Sequence, residues 1–176
     1  MSNINLVTKR VESFKSRIKR IGFNFFPAYR RTGGRIIFIS SDYHEVHVKI
    51  GLNWATKNYL GTVFGGSIFG ASDPIYLVQL YHILGNEDYI IWDIEGQVKF
   101  IKPVKKTVFA KFEITEEIIK EIKEKTSENK KHTIKLVTYF EDENNTKYVE
   151  IIRTIFISYK KFNRKNSNNK ITNIEV

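Results

Sequence analysis

The 176-residue chain has no cysteine, one methionine and only three prolines. Without a thiol it can form no disulfide, no thiolate nucleophile and no cysteine-held metal site, a pattern that fits a reducing cytoplasm. Histidines number four. Two of them, His44 and His47, fall on opposite faces of an extended strand, so no metal site is expected. No run approaches the roughly 18–20 apolar residues that a membrane-spanning helix needs, so no transmembrane segment is expected. Residues 1–20 lack the apolar core of a secretion signal, and a cytoplasmic location is the expectation. Acidic residues are scarce at both ends. The net charge is +10, with residues 1–35 contributing +8, residues 160–176 contributing +4, and the middle slightly acidic at −2. Basic ends on a near-neutral body suggest solubilising segments or attraction to polyanions, and not a nucleic-acid-binding fold.

What remains is an apolar, aromatic-rich chain, 41% hydrophobic and 14% aromatic, long enough for one domain with a sizeable core. Leu6 or Val7, Val11, Phe14, Ile18 and Ile21 recur at helical steps among Lys9, Arg10, Lys15, Arg17, Lys19 and Arg20. They predict a basic amphipathic helix ended by Gly22, its apolar stripe packed on the domain; the other reading lays it on an anionic membrane surface. An aromatic bridge follows, Phe23 to Tyr29. A hairpin comes next, Arg35–Ser40 and His44–Ile50, turned at Ser41-Asp42-Tyr43. After an irregular loop, Ile68, Phe69, Ala71, Ile75, Val78, Leu80, Ile83 and Leu84 mark a buried helix, which Pro74 should bend. Tyr89–Lys102 reads as a long strand with Trp92, Ile94, Val98 and Phe100 on one face. Asp93, Glu95, Gln97 and Lys99 take the other, and Gly96 marks a bend or a close approach. Thr107–Ile114 is a further strand, Thr115 caps a charged surface helix, and His132–Phe140 with Lys147–Lys160 closes the chain as a hairpin. The Asn/Lys-rich tail is expected to be disordered. This order predicts a single α+β domain: about six mostly antiparallel strands curled around one long helix.

The stretch Asn58 to Asp73, N-Y-L-G-T-V-F-G-G-S-I-F-G-A-S-D, concentrates the chemistry. Gly65 and Gly66 stand where loop becomes helix, so backbone N–H groups are available to an oxyanion or a polarised carbonyl. Asp73 lies about two turns further on, in an apolar helix where a carboxylate is costly unless paired or used. With Asn58 in the preceding loop, these residues offer a polar anchor, an electrophile-stabilising site and a base. They form neither a serine nor a cysteine triad, and no standard phosphate-binding glycine loop is present.

Asn58, Gly61-Thr62, Phe64-Gly65-Gly66 and Asp73, with the strand end Val98-Lys99-Phe100-Ile101-Lys102-Pro103-Val104, resemble the hot-dog fold and within it the PaaI-like acyl-CoA thioesterases. The resemblance covers roughly residues 28–160. It implies a hot-dog domain over 28–162, preceded by the basic helix and aromatic bridge of 1–27 and followed by the tail of 163–176. By position it implies that Asp73 is the general base or nucleophile, Asn58 orients substrate or water, and the Gly65 N–H polarises the thioester carbonyl. Thr62, Phe64 and Gly66 would contact substrate. Lys99, Lys102 and Lys105 would meet the phosphates of coenzyme A, unless they are a solvated charge cluster. The residue before the glycine pair is Phe64, where the family usually has His.

The implied activity is hydrolysis of an acyl-CoA or related acyl thioester, with no cofactor beyond the coenzyme A of the substrate. The implied assembly is a homodimer paired through Tyr89–Lys102, with a tetramer as the larger option. The alternative, favoured by Phe64, is a non-catalytic acyl-thioester-binding or regulatory protein. A third reading has the basic ends bind RNA or an anionic membrane.

Overall fold

A computed structural model describes residues 8–85 and 87–160. The expected fraying at 1–5, the helix start at Leu6 or Val7 and the tail beyond 162 lie outside the described residues. Among those described, the elements run α1 (Phe14–Phe25), α2 (Pro27–Arg30), β1 (Arg35–Ile39), β2 (Glu45–Ile50), α3 (Gly65–Ser72) and α4 (Ile75–Leu84). They continue with β3 (Tyr89–Phe100), β4 (Val108–Glu113), α5 (Glu116–Asn129), β5 (Lys131–Glu141) and β6 (Lys147–Tyr159).

The strands form one antiparallel sheet in the order β1-β2-β4-β5-β6-β3. The central helical span touches strands far apart in that order. Gln79 Nε2 donates to the Phe112 carbonyl at 3.3 Å, the Tyr76 hydroxyl to Val137 O at 3.0 Å and the Tyr81 hydroxyl to Ile91 O at 3.0 Å. A sheet whose β3, β4 and β5 all meet one helical span must curl around it, as the resemblance implies. Between them lies the apolar core, which includes Ile68, Ile75, Tyr76, Leu80, Phe112, Phe140, Ile151 and Ile155.

The helical span is interrupted where Pro74 was expected to bend it. Asp73 still donates its N–H to Phe69 O at 3.0 Å. Pro74 has no N–H to continue the ladder and stands at the N-cap of α4. The break leaves Asp73 at the C-cap of α3.

Two expectations need correction. The first concerns α1, which begins at Phe14, where Ser13 Oγ caps the Ser16 N–H at 3.1 Å, and continues through Gly22 to Phe25. Its apolar stripe is not packed on the domain. The second concerns β3, where the register shifts between Asp93 and Glu95. This bulge reverses the alternation. Upstream, Tyr89, Ile91 and Asp93 face the helical span. Downstream, Gly96, beside Phe69, Val98, packed on the core, and Phe100, beside Gly65, do so. Trp92 therefore lies on the face opposite Phe100.

The outer face of β2 carries a buried polar cluster. His47 Nε2 donates to Glu45 Oε1 at 2.5 Å, Thr8 Oγ1 donates to Glu45 Oε2 at 2.9 Å, and Lys111 Nζ lies 3.6 Å from the same oxygen. Burial pulls the His47 imidazole below its ordinary value, outweighing the opposite pull of Glu45. A histidine depressed in this way binds its proton more readily in the unfolded chain. Its contribution to stability is therefore full above an unfolded value of about 6.5 and is lost as pH falls. We expect the melting temperature to drop between about pH 7.5 and pH 5.5, and to drop less steeply in a His47→Gln variant. Calorimetry at the two pH values measures both slopes, and equal slopes would remove His47 from the account.

Candidate functional site

The loop before α3 is held in shape by its own side chains. Asn58 Oδ1 accepts the N–H groups of Leu60 at 2.9 Å and Thr62 at 3.0 Å, while Nδ2 donates to Thr62 Oγ1 at 2.8 Å. The turn passes through Gly61 at φ 76°, a left-handed conformation that glycine adopts without a Cβ clash. The loop is then tied to the segment after β3 by the Val63 N–H, which donates to Val104 O at 2.8 Å. Between the two lies a cleft of about 540 Å³, lined by residues that include Asn58, Thr62, Gly65, Phe100, Lys102 and Lys105.

At this cleft α3 begins. Its first two N–H groups, those of Gly65 and Gly66, have no partner among the described residues; the next two, of Ser67 and Ile68, turn back to Phe64 O. Both glycines let an aromatic ring lie close against the helix start. A Cβ on Gly65 would lie 2.6 Å from the Phe100 ring, and one on Gly66 would lie 2.5 Å from the Phe64 ring. The cleft wall at Gly65 thus offers an unpaired donor at the positive end of a helix, with the Gly66 N–H next in the chain, suited to an oxygen that gains negative charge.

Asp73 lies elsewhere. It does not line this cleft, and its side chain, 55% exposed, accepts a hydrogen bond at Oδ1 from Arg153 Nη2 at 2.6 Å. Arg153 is buried on β6 and also bonds Asp93 Oδ2 through Nε at 2.7 Å and through Nη2. Its guanidinium carbon lies 5.0 Å from the centre of the Phe69 ring. Nη1 is buried without a partner, pressed towards Gly96, where a Cβ would come within 2.5 Å of it. Burial pushes the Asp93 carboxyl above its ordinary value, against Arg153, which pulls it down, and with a further push from Asp73. Arg153 thus fixes one oxygen of Asp73, and Oδ2 has no partner among the described residues.

The structure brings Asn58, Thr62, Gly65, Lys102 and Lys105 to one cleft. Phe64 is exposed beside it, packed over Gly66. Lys99 does not line the cleft; it stands between the inward positions Val98 and Phe100, opposite Glu150. Arg153 and Asp93 were missed. Their readable signal was an arginine in the middle of the buried alternation Val149, Ile151, Ile155 and Ile157. A charge there needs a partner, and Gly96 lies directly opposite it across the strand pair. Among the described residues no group of three or more His, Asp or Glu is arranged to hold a metal ion, and no helix is long and apolar enough to cross a membrane.

Solved structures share this architecture. A Pseudomonas aeruginosa protein of unknown function, described as a probable thioesterase, superposes with a TM-score of 0.72 at 15% identity, over 84% of this chain and 98% of its own. A mutant thioesterase from the same organism gives 0.61 at 8% identity, covering 86% and 97%. A Haemophilus influenzae thioesterase gives 0.59 at 12%, covering 86% and 94%. At these identities the likeness is one of fold. A search of curated proteins finds no match. The model of the family described as "Domain of unknown function (DUF4442)" matches residues 15–157, so this chain, with its curled sheet around a broken central helix, belongs to that family and has the hot-dog fold of the thioesterases.

Proposed function

We propose that the chain hydrolyses an acyl-CoA or related acyl thioester to the free acid and the thiol, at a site completed by a second subunit. The observation that carries this reading is the pair of unpartnered N–H groups at Gly65 and Gly66, opening α3 at a cleft lined by Ile68, Phe100, Val104 and two lysines. The apolar residues suit an acyl chain, and Lys102 and Lys105 suit the phosphates of coenzyme A. A thioester carbonyl is already electrophilic, so a base and oxyanion donors suffice. Water adds to the carbonyl carbon as Asp73 takes its proton, the oxyanion is held by the Gly65 N–H, and the C–S bond then breaks. The thiolate leaves and recovers the proton from Asp73. Asn58 acts by holding Thr62 and Leu60 in the cleft wall, so Asn58→Ala should weaken substrate binding and turnover together.

Within one chain Asp73 is outside the Gly65 cleft, and so we infer a dimer. β3 is an edge strand of 12 residues with Trp92, 66% exposed, and Ile94 and Phe100 also exposed along it. Pairing two such strands about a two-fold axis would cover that edge, join the sheets and set Asp73 of one subunit against the cleft of the other. Light scattering at micromolar concentration should return twice the monomer mass, and a monomer there would leave the composite site without support. Hydrolysis by purified protein across a panel of acyl-CoA chain lengths tests the activity itself.

A second reading, acyl-thioester binding without turnover, is favoured by one observation: Asp73 already spends Oδ1 on Arg153. Binding of the panel with no hydrolysis of any member would select it.

A further inference from the structure

The helix α1 is mounted with its polar side on the domain. Ser16 is buried, with Oγ donating to Ser40 O at 3.5 Å. Asn24 acts as an added rung for β1: Nδ2 donates to Ile36 O at 2.8 Å, and Oδ1 accepts the Ile36 N–H at 2.9 Å. Arg20 bonds Glu12 at 2.7 Å, whose carboxylate also accepts the Ile39 N–H at 3.2 Å. Phe23, from the same face, packs edge-on against Tyr29 with ring centres 4.8 Å apart.

The opposite face is apolar and open. At about 100° per residue, Phe14, Ile18, Ile21 and Phe25 fall within a narrow arc roughly opposite Ser16 and Phe23. All four are exposed, Phe14 at 78% and Phe25 at 68%, and Val11 and Phe26 extend the stripe at its two ends. Lys15 and Arg17 flank it on either side, and both are exposed. From Ser13 to Ser41 the sequence has seven Lys or Arg and no Asp or Glu. The carboxylates that bound this run are both paired, Glu12 with Arg20 and Arg17 and Asp42 with Arg10.

We propose that this face of α1 docks on an anionic lipid surface, lying in the interface plane with Phe14, Ile18, Ile21 and Phe25 inserted among the acyl chains and Lys15 and Arg17 at the headgroups. Charge complementarity chooses the occupant. A second copy would bring an equally cationic, acid-free face, and the two would repel; a bilayer with acidic headgroups supplies both apolar depth and counter-charge. This docking would be independent of the cleft and of hydrolysis.

The test uses the full chain and sedimentation with vesicles of about three parts phosphatidylcholine to one of phosphatidylglycerol, against vesicles of phosphatidylcholine alone. Wild-type protein should co-sediment with the anionic vesicles only, and less in high salt. Changing Phe14 and Phe25 together to Gln should weaken this at least about tenfold, while the melting temperature stays put because both side chains are exposed. Lys15→Gln with Arg17→Gln should lower binding and flatten its salt dependence. The proposal is overturned if wild type ignores anionic vesicles. It is also overturned if the double Phe variant binds as well as wild type, which would assign the binding to charge alone. Loss of an oligomer in the double Phe variant, without vesicle binding by wild type, would make this face a contact between copies and overturn it equally.

Discussion

Replacing Asp73 by Asn should leave acyl-CoA binding intact and lower turnover by about 10²- to 10⁴-fold, the range for a positioned base. The substitution is nearly isosteric, and the Asn Oδ1 can still accept from Arg153 Nη2, which holds the side chain at 2.6 Å in the native protein. What disappears is the second carboxylate oxygen and with it the ability to take a proton from water. The loss should therefore fall on kcat, with KM little changed. If Asp73 instead serves only to neutralise Arg153, Asp73→Asn will shift the melting temperature and leave hydrolysis near the wild-type rate. Full activity in a stably folded Asp73→Asn protein would remove Asp73 from the chemistry while leaving the thioesterase reading intact.

Arg153→Met should cost about 3–5 kcal/mol of stability, the usual range when one partner of a buried ion pair is removed. The guanidinium is enclosed by Asp93, Asp73, Phe69 and Gly96. Without it the negative charge of Asp93, mostly buried, is disfavoured by burial and by the nearby Asp73, with no cation between them. Urea unfolding would show a lower midpoint with an unchanged slope. Adding Asp93→Asn should recover part of the loss, because it removes the stranded charge; no recovery would mean that the cost lies in packing against Phe69. Turnover should fall in Arg153→Met beyond the loss of folded protein, since Asp73 is no longer anchored at Oδ1. That outcome would make Arg153 a positioning residue.

Much of the architecture was legible because hydrophobic period and punctuation agreed. The hairpin at Ser41 to Tyr43, the Thr115 cap and the break at Pro74 each follow from a local residue with a local cause, and each is found. The cleft residues around Gly65 were legible for the same reason, as a loop followed by a helix start. What stayed hidden depends on chain far away. The outward stripe of α1 has the same 3.6 period as a buried one; only Asn24 and Ser16, meeting β1 and Ser40, decide which side docks. The bulge in β3 cannot be seen in an alternation of apolar and polar residues, because it is set by pairing with β6 some 60 residues later. For that reason the sequence shows that Arg153 needs a partner, but not that Asp93 is the partner.

The bulge also bears on which changes in length β3 can tolerate. Upstream of Ile94 and downstream of Glu95 the strand obeys opposite inside–outside rules, and the bulge absorbs the extra residue so that both halves stay in phase with β6. Deleting Ile94 would restore one-to-one pairing and leave Gly96 opposite Arg153, facing the core. Deleting one residue between Gly96 and Phe100 would instead rotate the far end outward and turn Phe100 away from Gly65. Lineages of this family that lack the bulge residue should accordingly keep the arginine and the glycine, and any other change in the length of β3 should come two residues at a time.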